Sequence, residues 1–227
     1  MKENCGGKER LKQIQYENLL PMEIEKRSFE IISEELVRRG IRLDQELEPV
    51  IKRVIHTTAD FEYAETLAFS PDSVGHAMRA IRDGACIVTD TRMVMSGINK
   101  KALAKYGGKV YNFILDEDAA EFAKKNQTTR SAACMDKAAG LNVPLVFAIG
   151  NAPTALIRLC ELIQEGRICP KLVIGVPVGF VNVEYAKELI LHTDVPYIVA
   201  RGRKGGSNVA AAICNAILYR MDETRGR

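Results

Sequence analysis

From residue 85 onward, short apolar runs alternate with amphipathic stretches. The runs are ACIVTD (85–90), KVYNFILD (109–116), VPLVFAIG (143–150), KLVIGVPV (171–178) and PYIVARG (196–202). Each is four to eight residues rich in Val, Ile, Phe and Tyr, the length and composition of a strand. They are nearly continuous in apolar residues, with little alternation, so both faces of the sheet are expected to be covered, as in a parallel, doubly wound arrangement. Between and after them the pattern predicts helices near 99–106, 117–139, 153–165, 182–192 and 207–220. The expectation is an α/β fold with five mostly parallel strands and helices on both faces.

The chain before residue 85 reads as helical. In MEIEKRSFEIISEELVRRG, Ile24, Phe29, Ile32, Leu36 and Val37 recur at mixed three and four spacing, and Gly40 follows a basic last turn as a stop signal. EPVIKRVIHTTAD opens with Pro49 in a first helical turn, and SPDSVGHAMRAIRDG offers Ser70 as a cap with Gly84 as terminator. Residues 1–18 are polar and Lys-rich without periodicity, which predicts a flexible arm ahead of a single domain at 19–227, helical over 19–84 and α/β over 85–227.

Composition narrows the function. Lys plus Arg number 32 against 29 Asp plus Glu, a net charge of +3 with no nucleic-acid signature. No run approaches the roughly 18 apolar residues of a spanning helix, and the first twenty residues carry charges where a secretory signal needs an apolar core. A cytoplasmic protein with no membrane partner is expected. Its six cysteines form no CxxC pair, and His56, His76 and His192 have no second ligand at metal spacing, so reduced thiols and no bound metal are expected.

In a doubly wound sheet, ligands bind beyond the carboxyl ends of the strands. There the chain places Thr89-Asp90-Thr91-Arg92, then Gly150-Asn151-Ala152-Pro153-Thr154, then Gly175, Pro177 and Gly179, and last RGRKGGS, Arg201 to Ser207. Tight turns alone would account for any one of these loops. Together they suggest an anion site in which glycines admit backbone amides, cations supply charge and helix starts at Pro153 and Ser207 add amides. Neither GxxxxGK[ST] nor GxGxxG is present, so a substrate with several carboxylates suits the edge at least as well as a nucleotide. Arg53 and His56, three residues apart, share one helix face; His56 is the best proton donor of the chain, although a surface histidine would look the same.

Seven stretches carry a more specific pattern: EKRSF (25–29), RVIHTTAD (53–60), FSPDSV (69–74), NQTTRSAA (126–133), AIGNAPTAL (148–156), GVPVGFV (175–181) and ARGRKGGS (200–207). In this order they resemble the precorrin-8X or cobalt-precorrin-8 methylmutase family, over roughly residues 20 to 220. The resemblance implies a flavodoxin-like fold, a homodimer, no separate cofactor, and migration of a methyl group from carbon eleven to carbon twelve of a corrinoid macrocycle, giving hydrogenobyrinate or cobyrinate. It implies that His56 is the acid/base residue and that Ser28 and Arg53 contact substrate. Arg130, with Asn151 and Thr154 of the GNAPT loop and Arg201, Gly205, Gly206 and Ser207 of RGRKGGS, is expected to hold acetate and propionate groups. A nucleotide- or phosphosugar-binding enzyme and a non-catalytic tetrapyrrole carrier are the competing readings.

Overall fold

The computed structural model describes residues 20–222, so the expected arm at 1–18 lies outside the described residues. Helix α1 (Pro21–Arg38) starts where the Leu20 amide donates to the Glu23 carboxylate at 3.1 Å. It stops at Gly40, whose φ of +70° lets Ile41 N–H reach back to the Leu36 carbonyl. Ile32 and Leu36 are buried, whereas Ile24 and Val37, expected on the same apolar face, are exposed.

Helix α2 (Glu48–Thr58) buries Val50, Ile51, Val54 and Ile55. The short α3 (Tyr63–Thr66) runs into β1 (Leu67–Phe69), a strand inside the region expected to be helical. The sheet therefore has six strands where five were expected. Strand β1 lies antiparallel to β6 (Tyr197–Ala200), with Leu67 opposite Ala200 and Phe69 opposite Ile198. Ser70 does not cap the next helix, α4 (Ser73–Arg82); its hydroxyl accepts from the Tyr197 amide at 2.9 Å and extends the β1–β6 ladder.

The other strands are β2 (Cys86–Thr89), β3 (Val110–Tyr111), β4 (Leu145–Ile149) and β5 (Leu172–Gly175). They and β6 begin where the apolar runs placed them, and all five run parallel in a sheet ordered β1-β6-β5-β4-β2-β3. Strand order reverses between β2 and β4. Neighbouring residues go to opposite faces: Ile87, Val146, Ile174 and Ile198 join one apolar cluster, Val88, Phe147, Val173 and Val199 the other. Helices α2, α4 and α11 (Ser207–Arg220) cover the first face, and α8 (Arg130–Ala139), α9 (Pro153–Gln164) and α10 (Val183–Leu191) cover the second.

Two predicted helices differ from expectation. The one near 99–106 is α6 (Lys100–Ala104), preceded by a short helix that was not expected, α5 (Arg92–Gly97). The one at 117–139 is α7 (Glu117–Lys125) and α8, separated at Asn126–Thr129, where Gln127 has a φ of +51° and the Thr129 hydroxyl accepts from the Ala132 amide at 3.2 Å. A local side-chain acceptor starts a new helix there and sets Arg130 in its first turn.

Candidate active site

The carboxyl edge of the sheet is built around Asp90, which follows β2 and is 1% exposed. Its carboxylate accepts from the Gly150 amide at 3.0 Å and from the Asn151 and Ala152 amides at 2.7 Å each. Burial pushes the Asp90 carboxyl above its ordinary pKa, while the three amides act the other way. This contact ties the β2 and β4 loops together at the order reversal. It also corrects one expectation, because amides ahead of α9 that were assigned to a ligand are taken by an internal carboxylate.

Glycine is required where the next loop arrives. A Cβ on Gly150 would lie 2.8 Å from Ser207 Cα, and one on Gly205 would lie 2.2 Å from the Val176 carbonyl oxygen. Gly206 N–H donates to that same carbonyl at 2.8 Å, and the Ser207 hydroxyl sits 3.0 Å from that of Thr91. Thr154 meets Thr129 hydroxyl to hydroxyl at 2.8 Å, which brings the exposed Arg130 next to the GNAPT loop. Asn151 and Thr154, with Arg201, Gly205, Gly206 and Ser207, thus share one edge with Arg130.

The cations of RGRKGGS are not the unopposed charges the sequence suggests. Arg201 lies 3.4 Å from Glu188, Arg203 2.8 Å from Glu184, and Lys204 2.6 Å from both Asp60 and Glu62. The Lys204 hydrogen bond holds the Asp60 carboxyl below its usual range. Exposed pairs of this kind contribute about 0–1 kcal/mol, so an incoming carboxylate can exchange with them.

Beneath the loop lies Lys187, fully buried, which the sequence reading passed over. Its ammonium donates to the carbonyls of Gly202 and Lys204 at 2.7 Å each, and burial pushes it down to about 8. A signal existed: Lys187 shares the buried stripe of Val183, Ala186 and Ile190 on α10.

The second group of predicted residues lies on α1 and α2. His56, exposed in the last turn of α2, stacks on Phe29 with ring centroids 5.2 Å apart and planes 14° apart. The Arg53 guanidinium is 4.7 Å from the same ring and 5.4 Å from that of Tyr219, and it pairs with Glu25. Ser28 donates its hydroxyl to the Ile24 carbonyl at 2.8 Å. The loop ahead of α11 reaches the chain just after α2. Arg220 at the end of α11 bonds the Glu46 carbonyl just before α2, and Lys204 just before α11 bonds Asp60 just after α2, so the helices run antiparallel. The last turn of α2 therefore sits at the loop end of α11.

His76 and His192 are exposed elsewhere, on α4 and at the end of α10. Cys86, Cys134, Cys160 and Cys214 are buried, and burial raises the last three to about 11, 12 and 12, which keeps them as protonated thiols. A hollow of about 910 Å³ lined by Ser70, Lys171 and Pro196 lies at the opposite, amino end of the strands and contains none of the predicted residues.

A model of the family Precorrin-8X methylmutase matches residues 23–220. The chain belongs to the precorrin-8X methylmutase family. It is 46% identical over 202 residues to the cobalt-precorrin-8 methylmutase of Priestia megaterium, covering 89% of each chain. It is 45% identical over 207 residues to that of Salmonella typhimurium, covering 89% of this chain and 97% of the other. The crystal structure of a Thermus thermophilus precorrin-8X methylmutase superposes with a TM-score of 0.78 at 38% identity, covering 87% and 96% of the two chains. This methylmutase is therefore an isomerase that migrates a methyl group within a corrin precursor in cobalamin biosynthesis. Its family favours neither a nucleotide enzyme nor a passive carrier. Among the described residues no helix is long and apolar enough to cross a membrane.

Proposed function

We propose that this methylmutase acts on cobalt-precorrin-8, moving the methyl group from carbon eleven to carbon twelve to give cobyrinate, with His56 as the proton donor. The two relatives at 46% and 45% identity, both named for the cobalt-bearing substrate, support that choice over the metal-free form. The observation that carries the site is Lys204 bound to Asp60 and Glu62 at 2.6 Å, which brings the histidine helix and the glycine-rich loop to one end of the fold.

His56 protonates the conjugated macrocycle and thereby draws electron density from carbon eleven. The methyl group shifts to carbon twelve, and the proton returns to the imidazole, so the reaction needs no co-reactant. General acid help of this kind contributes about 10²- to 10⁴-fold in rate. Arg53 and Ser28 contact the macrocycle beside His56. Arg130, Asn151, Thr154, Arg201, Gly205, Gly206 and Ser207 hold its peripheral carboxylates, Arg201 by exchanging Glu188 for substrate. Binding many remote carboxylates fixes a flexible ring in the migrating geometry.

Residues 20–222, the described part of the expected 19–227 domain, are read as one domain. With β1 set apart, the order β3-β2-β4-β5-β6 supports reading the sheet as flavodoxin-like and doubly wound. The working form is a cytoplasmic homodimer. Incubation with precorrin-8 in metal-free and cobalt forms, with product followed by visible spectrum and carbon NMR, tests the substrate. Faster turnover of the cobalt form is expected; preference for the metal-free form would contradict the assignment.

A further inference from the structure

Lysine is almost never fully buried without an ionic partner, because an ammonium removed from water loses its hydration. Lys187 on α10 is 0% exposed, and among the described residues no carboxylate lies within the 4.0 Å of an ion pair. Its two hydrogen bonds go to carbonyls, those of Gly202 and Lys204, both in the Arg201–Ser207 loop. Glu184, one turn earlier on the same helix, is engaged by Arg203.

A planar trans peptide points its N–H opposite to its C=O. With the carbonyls of Gly202 and Lys204 drawn inward to Lys187, the next amides, on Arg203 and Gly205, are turned away from α10. The loop is also where Arg201, Arg203 and Lys204 each pair with a carboxylate, whereas the Lys187 ammonium bonds carbonyls and feels Glu184 only at longer range. We propose that Lys187 is a positioning residue for substrate carboxylates: it shapes the Arg201–Ser207 loop from beneath, aims the Arg203 and Gly205 amides outward, and supplies positive charge behind them. This rests on the reading of that loop as the carboxylate-binding element.

Lys187→Met keeps the volume of the stem and removes both hydrogen bonds and the charge. Affinity for the purified product, hydrogenobyrinate or cobyrinate titrated by visible absorption, should fall about tenfold to a hundredfold. The melting temperature should hold or rise, since the cost of burying an ammonium disappears. Amide hydrogen exchange should quicken at residues 202–206 and not elsewhere. Lys187→Gln keeps two N–H donors without the charge; its affinity should lie between the two, and it carries the test if the Met variant does not fold. Product binding by the variants equal to wild type would overturn the proposal, as would faster exchange throughout the chain with a lower melting temperature. Arg201→Ala separates the failures: weak binding by Arg201→Ala with normal binding by Lys187→Met overturns the role of Lys187 alone, whereas normal binding by both overturns the carboxylate loop as well.

Discussion

Asp90 and His56 stand in two regions of opposite construction. Around Asp90 the β2, β4 and β6 loops are locked by three backbone amides on one buried carboxylate, by glycines whose Cβ atoms would collide with neighbouring backbone, and by the Thr91–Ser207 hydroxyl contact. Around His56 there is an exposed imidazole on an aromatic ring, with an arginine across the same ring. The difference teaches a division of labour. The carboxyl edge spends its polar groups on its own rigidity and presents a fixed surface, while the α2 edge leaves its titratable group open to a substrate.

Breaking the rigid region should have the largest effect. Asp90→Ala strands three inward-facing amides and should cost about 3–5 kcal/mol of stability, read as the shift in a urea midpoint. A loss under 1 kcal/mol would mean the edge is held by packing alone. Next come the presented cations. Alanine at Arg130 or at Arg201 removes charge-assisted bonds that contribute about 1.5–3 kcal/mol before solvent losses, so product affinity should fall by about tenfold or more at moderate salt. Unchanged affinity in both variants would empty the region of its binding role.

The reactive region is sharpened by Phe29→Leu, which keeps apolar bulk but removes the ring under His56 and Arg53. Such ring contacts contribute about 0.5–1.5 kcal/mol, so turnover should fall about threefold to tenfold with affinity little changed. The smallest effect is a slope. With Lys187 lowered to about 8, the unfolded chain binds a proton that the folded chain lacks between about 8 and the ordinary 10.5, so this group makes stability rise with pH across that window and withdraws it as pH falls through 8. The buried thiols act in the opposite sense above 9. The difference between wild-type and Lys187→Met stability against pH isolates the lysine: a positive slope is expected, and a flat one would contradict its depressed value.

The parallel core was legible because buried strands are apolar on both faces, and β2 to β6 begin where Cys86, Val110, Leu145, Leu172 and Tyr197 placed them. Strand β1 was not: three residues, Leu67–Phe69, give no period, and their place comes from pairing with β6 some 130 residues later. The split between α7 and α8 was hidden because NQTT interrupts an otherwise helical pattern only through a local Thr129 cap. Residues of the site were named from motifs, yet the roles of Asp90 and Lys187 depend on which backbone groups reach them, and that is a property of tertiary approach. The same cause explains the loop cations, whose carboxylate partners lie on α10 and just after α2.

The central claim is that His56 reacts while the carboxyl edge binds. Its most direct test is one experiment on His56→Ala, measuring single-turnover rate and product affinity in the same buffer. The account predicts a rate about 10² to 10⁴ lower with affinity within a few-fold of wild type. A near-normal rate, or an affinity that falls as far as the rate, would contradict it.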